Sequence, residues 1–154
     1  MMFLIEVGKA FRKHRVRYAV IGGYAVALHG ATRGTIDVDV VIARNRGAYV
    51  RAEQALTELG LECSLPVRAG EIFDFREEYI RNRNLKAWSF VNPHNPVQLV
   101  DILLTVDLNE IDTVNKKVAG ANVQVASAAD LIRMKKASGR DQDIEDIKAL
   151  EKLI

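Results

Sequence analysis

Asp37 and Asp39 stand two positions apart in the run Ile36-Asp37-Val38-Asp39-Val40-Val41-Ile42-Ala43, in which every other residue is apolar. So dense a β-branched run predicts a strand, and in a strand such a pair leaves one face with Cα atoms roughly 6–7 Å apart. Two carboxylates placed this way repel. A strand this apolar is expected to be buried, where uncompensated acids are costly to desolvate. A cation between them removes the conflict. A hard divalent ion, Mg²⁺ or Mn²⁺, meets the need because it prefers carboxylate and water oxygens and also bridges the phosphates of a nucleotide.

Asp101, inside Leu99-Val100-Asp101-Ile102-Leu103-Leu104, is another acid embedded in an apolar strand pattern. If that strand neighbours Ile36–Ala43, Asp101 completes a metal-binding triad with Asp37 and Asp39; Asp107 and Asp112 are the nearby alternatives. Upstream, the β-prone Tyr18–Ile21 meets Gly22-Gly23, and Tyr24–His29 reads as a short helix closed by Gly30. Paired glycines at a helix start let the backbone approach an anion and aim free N–H groups at a phosphate. Arg33 and Thr35, just before the acids, offer a guanidinium fork and a hydroxyl to the same polyphosphate, or serve only as loop and strand start.

The surrounding pattern alternates helix and strand. Phe3, Val7, Ala10 and Phe11 predict a helix over about the first fifteen residues. Tyr49–Leu59 predicts another, closed by Gly60, and Leu61–Leu65 a further strand. Gly70–Arg83 is ambiguous between helix and irregular loop. Lys86–Val91 and Val97–Val106, joined through Asn92-Pro93-His94-Asn95-Pro96, read as a hairpin, with Trp88 and Phe90 packing it. Asn122–Ala126 is a last short strand. Ser127 opens a helix to Ser138, stopped by Gly139, and Asp141–Leu153 is a final amphipathic helix with Ile144, Ile147, Leu150 and Leu153 on one face.

These elements predict an α/β (α+β) fold, a small mixed sheet flanked by helices, in one domain spanning 1–154: a sheet core over 1–126 and a C-terminal helix pair over 127–154. With 154 residues and 49% hydrophobic content, the chain can bury one real core. Its net charge of +2 gives no general attraction to a polyanion. No apolar stretch has bilayer-spanning length and Met1–Ile5 is too short for a signal-peptide core, so a cytoplasmic protein is expected. Cys63 has no partner and reads as a small buried hydrophobe; His14, His29 and His94 are too dispersed for a zinc site. His29 is given helix-end packing and no chemistry.

The order Gly22-Gly23, then Asp37-Val38-Asp39-Val40, then Asp101 among apolar residues resembles the DNA polymerase β-type nucleotidyltransferase superfamily. The segment Ile21–Asp39 is most similar to its small bacterial and archaeal branch, which includes AbiEii-type toxins and minimal nucleotidyltransferases. The tail Ala129–Ile147 is similar to the C-terminal helix pair of that branch. The likeness covers most of the chain and leaves Glu62–Lys86 without motif support. It implies that Asp37 and Asp39 hold the metals, and that Asp101 completes the site and takes the acceptor hydroxyl's proton. It also implies a nucleotide-facing Lys135, with Lys136 as adjacent competitor, followed by the Arg140-x-x-Asp143 pair.

The expected activity is transfer of a nucleoside monophosphate from an NTP, foremost ATP, to a hydroxyl on RNA, protein or a small molecule, with release of pyrophosphate. The rival is a noncatalytic nucleotide-binding or interaction module, such as one component of a toxin–antitoxin pair. A plain nucleic-acid binder is disfavoured by the near-neutral charge, although Arg81, Arg83 and Lys86 can still contact an RNA acceptor. A partner protein or a homodimer is the expected source of acceptor choice.

Overall fold

A computed structural model describes residues 1–154. Its elements in chain order are α1 (Met2–Lys13), β1 (Tyr18–Ile21), α2 (Gly22–Leu28), β2 (Val38–Ile42), α3 (Arg46–Glu58), β3 (Glu62–Cys63), α4 (Ala69–Asp74) and α5 (Arg76–Arg83). They continue with β4 (Ala87–Asn92), β5 (Asn95–Leu103), β6 (Thr113–Val118), β7 (Ala121–Ala126), α6 (Ala128–Ser138) and α7 (Asp141–Glu151). The strands form a seven-stranded mixed sheet in the order β3-β4-β5-β2-β1-β7-β6, with β2 parallel to β5, β1 parallel to β7, and the other pairs antiparallel. The expected mixed sheet with flanking helices is therefore present. No helix is long and apolar enough to cross a membrane.

The central strands are the apolar runs. β1 is buried at all four positions, and Val38, Val40, Val41 and Ile42 of β2 are buried with it. α1 covers the sheet with Leu4, Val7, Gly8 and Phe11. Gly8 is tight, since a Cβ there would stand 2.7 Å from Tyr18 Oη. Trp88 is fully buried, stacked on Tyr49 at 5.5 Å and edge-on to Phe90 at 4.8 Å, so it belongs to the core and not to a base-stacking surface. Its Nε1 donates to Cys63 Sγ at 3.3 Å; that cysteine is half-buried and serves as an acceptor, not only as packing.

Several elements differ from the sequence reading. β2 begins at Val38, not Ile36, because β1 supplies its last partner at Ile21↔Asp39 and then turns into α2. Ile36 is consequently 60% exposed, and Asp37 lies at the bend before the strand, so Asp37 and Asp39 are not two residues of one strand. The strand expected over Leu61–Leu65 shrinks to Glu62–Cys63. The ambiguous 70–83 segment is two helices, anchored by the buried Glu53 carboxylate, which accepts from Ala69 N at 2.9 Å and Arg68 Nε at 3.0 Å. β6 is a strand that the sequence pattern does not predict. On α7 the buried positions are Asp143, Asp146 and Leu150; Ile144 is 47% exposed and Leu153, equally exposed, lies past the helix end at Glu151, so the inward face carries two acids beside Leu150.

Candidate active site

One row of residues crosses four strands: Ser89 on β4 is in register with Asp101 on β5, Asp101 with Asp39 on β2, and Asp39 with Ile21 on β1. Parallel pairing of β2 with β5 thus sets the two acids side by side. Asp107 and Asp112 lie beyond the end of β5 and outside this row; Asp107 Oδ1 instead accepts from Arg44 N and Asn109 N, both at 3.1 Å.

The backbone of α2 presses on the same carboxylate. Gly22 has φ +70°, and a Cβ on it would overlap the Asp39 carboxylate, with Asp39 Cγ only 3.0 Å away. Only glycine combines that conformation with that closeness. Burial, then the charges of Asp101 and Asp37 and a hydrogen bond shared with Asp101, push the Asp39 carboxyl up to about 7, against the opposing pull of Lys135. The row thus sets two carboxylates side by side, with Asp37 close by and Lys135 as the opposing charge.

No group of three or more His, Cys, Asp or Glu side chains is drawn together tightly enough to hold an ion alone. The expected triad is a close pair, Asp39 and Asp101, with Asp37 near enough to raise Asp39 from its exposed bend. Its donors are hard carboxylate oxygens, which suit a Mg²⁺-type cation that keeps waters in its remaining positions.

The acids open onto a cleft of about 250 Å³. Gly22, Asp39 and Asp101 line one wall; Lys135, Arg140 and Asp143 line the wall contributed by the C-terminal helices. Leu103, Leu131 and Met134 make an apolar patch between them. Lys135 is buried and lines the cleft, whereas Lys136 is exposed and does not.

Gly23, Arg33, Thr35 and Asp37 do not line the cleft. Gly23 backs against Thr35, where a Cβ would stand 2.7 Å from Oγ1. Arg33 Nε donates to Asp146 Oδ1 at 3.0 Å. Arg33 thereby joins a network within the helix pair: Lys135 Nζ lies 2.9 Å from Asp146 Oδ2 and 3.5 Å from Asp143 Oδ1, and Arg140 Nε lies 2.9 Å from Asp143 Oδ2. Burial pushes the Asp143 and Asp146 carboxyls up, but hydrogen bonds from Arg140 to the first and Lys135 to the second outweigh it, and both are held below the usual carboxylate range. His29 Nε2 pairs with Ala126 O at 2.8 Å, a packing role.

No protein-family model and no curated protein sequence matches the chain. Solved structures do. The antibiotic-resistance factor ANT(2'')-Ia superimposes with a TM-score of 0.67 at 13% identity, over 97% of this chain and 80% of that one. The lincomycin-bound lincosamide adenylyltransferase LnuA gives 0.67 at 13% identity, over 99% and 97%. An antigenic nucleotidyltransferase-like protein from Paracoccidioides brasiliensis gives 0.62 at 20% identity, over 97% and 73%. The chain has a nucleotidyltransferase fold.

Within this nucleotidyltransferase fold the sequence pattern singles out neither Ser89 and Asp146 nor the cleft residues Leu103, Leu131, Met134 and Ser138. Ser89 alternates with the apolar Trp88 and Phe90, and the signal was a polar residue on the other face of a strand that pairs with the Asp101 strand. Asp146 stands one helical turn beyond Asp143, and that spacing on one helix face was the available sign.

Proposed function

We propose that this chain is a metal-dependent nucleotidyltransferase that moves a nucleoside monophosphate from an NTP, foremost ATP, to a hydroxyl acceptor. The observation that carries the reading is the in-register Asp39–Asp101 pair with the Gly22 backbone laid against it. Asp39 and Asp101, with Asp37 at the rim, are the residues that would hold Mg²⁺ or Mn²⁺. When bound, the ion neutralises charge developing on the phosphates.

The chain's own groups account for the rest. Lys135 and Arg140 face the acids across the cleft and orient the triphosphate, while Leu103, Leu131 and Met134 offer a dry surface to a nucleoside ring. The acceptor oxygen forms a bond to the α-phosphorus as the bond to the bridging oxygen breaks and pyrophosphate leaves. Asp101 takes the hydroxyl proton, as the family resemblance implies. Asp143 holds Arg140 in place, Arg33 acts through Asp146, and Thr35 supports Gly23 from behind.

One structural neighbour is a lincosamide antibiotic adenylyltransferase and ANT(2'')-Ia is seen in complex with adenylyl-2"-tobramycin, which supports a hydroxyl acceptor on a small molecule. The order of glycine pair, acid pair, Asp101 and C-terminal Lys-Arg-x-x-Asp elements supports membership of the small bacterial and archaeal branch, and in so short a chain a partner protein or second copy would help to select the acceptor. The test is transfer of label from each α-³²P NTP, with Mg²⁺ or Mn²⁺, to total cell extract, small molecules and RNA. Labelled product and pyrophosphate that vanish in Asp39→Asn are expected. Absence of both from the wild-type protein with all four NTPs overturns the reading.

A further inference from the structure

Ser89 makes one side-chain hydrogen bond, and it is to the site: its Oγ donates to Asp101 Oδ1. The strand that carries it is fixed on every side. Trp88 and Phe90 are fully buried on the opposite face, and the Ser89 carbonyl accepts from Ser64 N at 3.0 Å and Ser64 Oγ at 3.2 Å. Ala87, two residues earlier on the same face, lines the cleft, yet Ser89 itself does not. Ser89 therefore stands behind Asp101 and reaches the cleft only through it.

We propose that Ser89 is a positioning residue, an uncharged donor that pins Asp101 Oδ1 and leaves its second oxygen to be shared with Asp39 and a bound divalent cation. The chemistry of the donor matters. A lysine or arginine at this register position would orient Asp101 equally well, but would neutralise the pair and compete with the cation. A hydroxyl orients without supplying charge. It also gives a carboxylate a charge-assisted hydrogen bond, stronger than one between neutral groups. Residues that hold a metal-binding side chain in this way typically contribute about 10-fold or more to metal affinity or activity.

This inference rests on the nucleotidyltransferase reading for its kinetic arm and stands apart from it for its binding arm. The binding arm titrates Mn²⁺ into metal-stripped protein by electron paramagnetic resonance. Ser89→Ala is expected to weaken Mn²⁺ binding about 10-fold, and Ser89→Thr, which keeps the hydroxyl on a strand-compatible side chain, to restore it to within about 2-fold. In turnover, Ser89→Ala is expected to lower kcat by about 10-fold while the KM for NTP stays within about 2-fold, a split that general loosening of the fold would not give. If Ser89→Ala does not fold, Ser89→Cys, a weaker donor of similar size, should fall between wild type and a site lacking Asp101. Wild-type Mn²⁺ affinity in Ser89→Ala or Ser89→Cys overturns the proposal, as does a wild-type protein that binds no Mn²⁺. Absence of turnover in the wild type, with the Mn²⁺ differences intact, removes the nucleotidyltransferase reading and leaves Ser89 its role.

Discussion

Lys135 Nζ on α6 sits 2.9 Å from Asp146 Oδ2 on α7, with the two side chains only 8% and 3% exposed. The pair joins the two C-terminal helices under the cleft, and Arg33 extends it to the loop that enters the acid strand. Removing one partner of a buried pair leaves the other charge uncompensated, which costs about 3 kcal/mol or more. Asp146→Ala should therefore lower unfolding stability by about 3 kcal/mol in urea denaturation. Loss of under about 0.5 kcal/mol would mean that Asp143 alone suffices to hold Lys135.

Stability should respond to pH with two opposite signs. Asp143 and Asp146 have folded values below the unfolded range, so their contribution is present above about pH 4 and is lost as pH falls through the folded values. Asp39 behaves inversely: raised from 3.8 to about 7, it adds no cost below pH 4 and a growing one as pH climbs toward 7. Asp39→Asn should raise the melting temperature of metal-free protein at pH 8 and leave it nearly unchanged at pH 4. An equal gain at both pH values would remove burial of a charge as its cause.

Lys135→Met should raise the KM for NTP by at least about 10-fold, since the lysine lines the cleft beside Arg140, and, because it leaves Asp146 without its buried partner, should also lower stability about as much as Asp146→Ala. Lys136→Met, at an exposed position, should stay within about 2-fold. Steady-state kinetics on the two variants decides between them.

At Gly22, alanine meets both a left-handed backbone, costing about 1–2 kcal/mol, and the Asp39 carboxylate. Gly22→Ala should lose that much stability and nearly all activity. At Gly60, also at positive φ but with open space around it, the same change should cost stability alone. Comparing melting temperatures with turnover for the two variants separates backbone strain from damage to the acid.

The parts legible in the sequence were those whose partners lie nearby in the chain. Tyr18–Ile21, the glycine pair and the Val38–Ile42 strand carry their own signals, and Ser127 and Gly139 mark the ends of α6 as caps should. β6 was not legible because it is a largely exposed, lysine-bearing edge with a single buried residue, Val118. The inward face of α7 was hidden for a different reason. Hydropathy assigns acids to solvent, and nothing in α7 itself announces Lys135 on the preceding helix or Arg33, brought from a distant part of the chain, which together neutralise Asp146. Register was equally silent: the alignment of Asp39 with Asp101, and of Ser89 behind them, exists only once the sheet is assembled.

The parallel contact between β2 and β5 also separates the two acids by a long stretch of chain. Parallel strands require a crossover, and here α3, β3, α4, α5 and β4 lie between Asp39 and Asp101 in sequence. No local chain structure brings the acids together, so their mutual repulsion belongs to the folded state alone. A divalent cation bound between them should therefore stabilise the folded protein against urea increasingly as its concentration rises, and leave the unfolded chain unaffected.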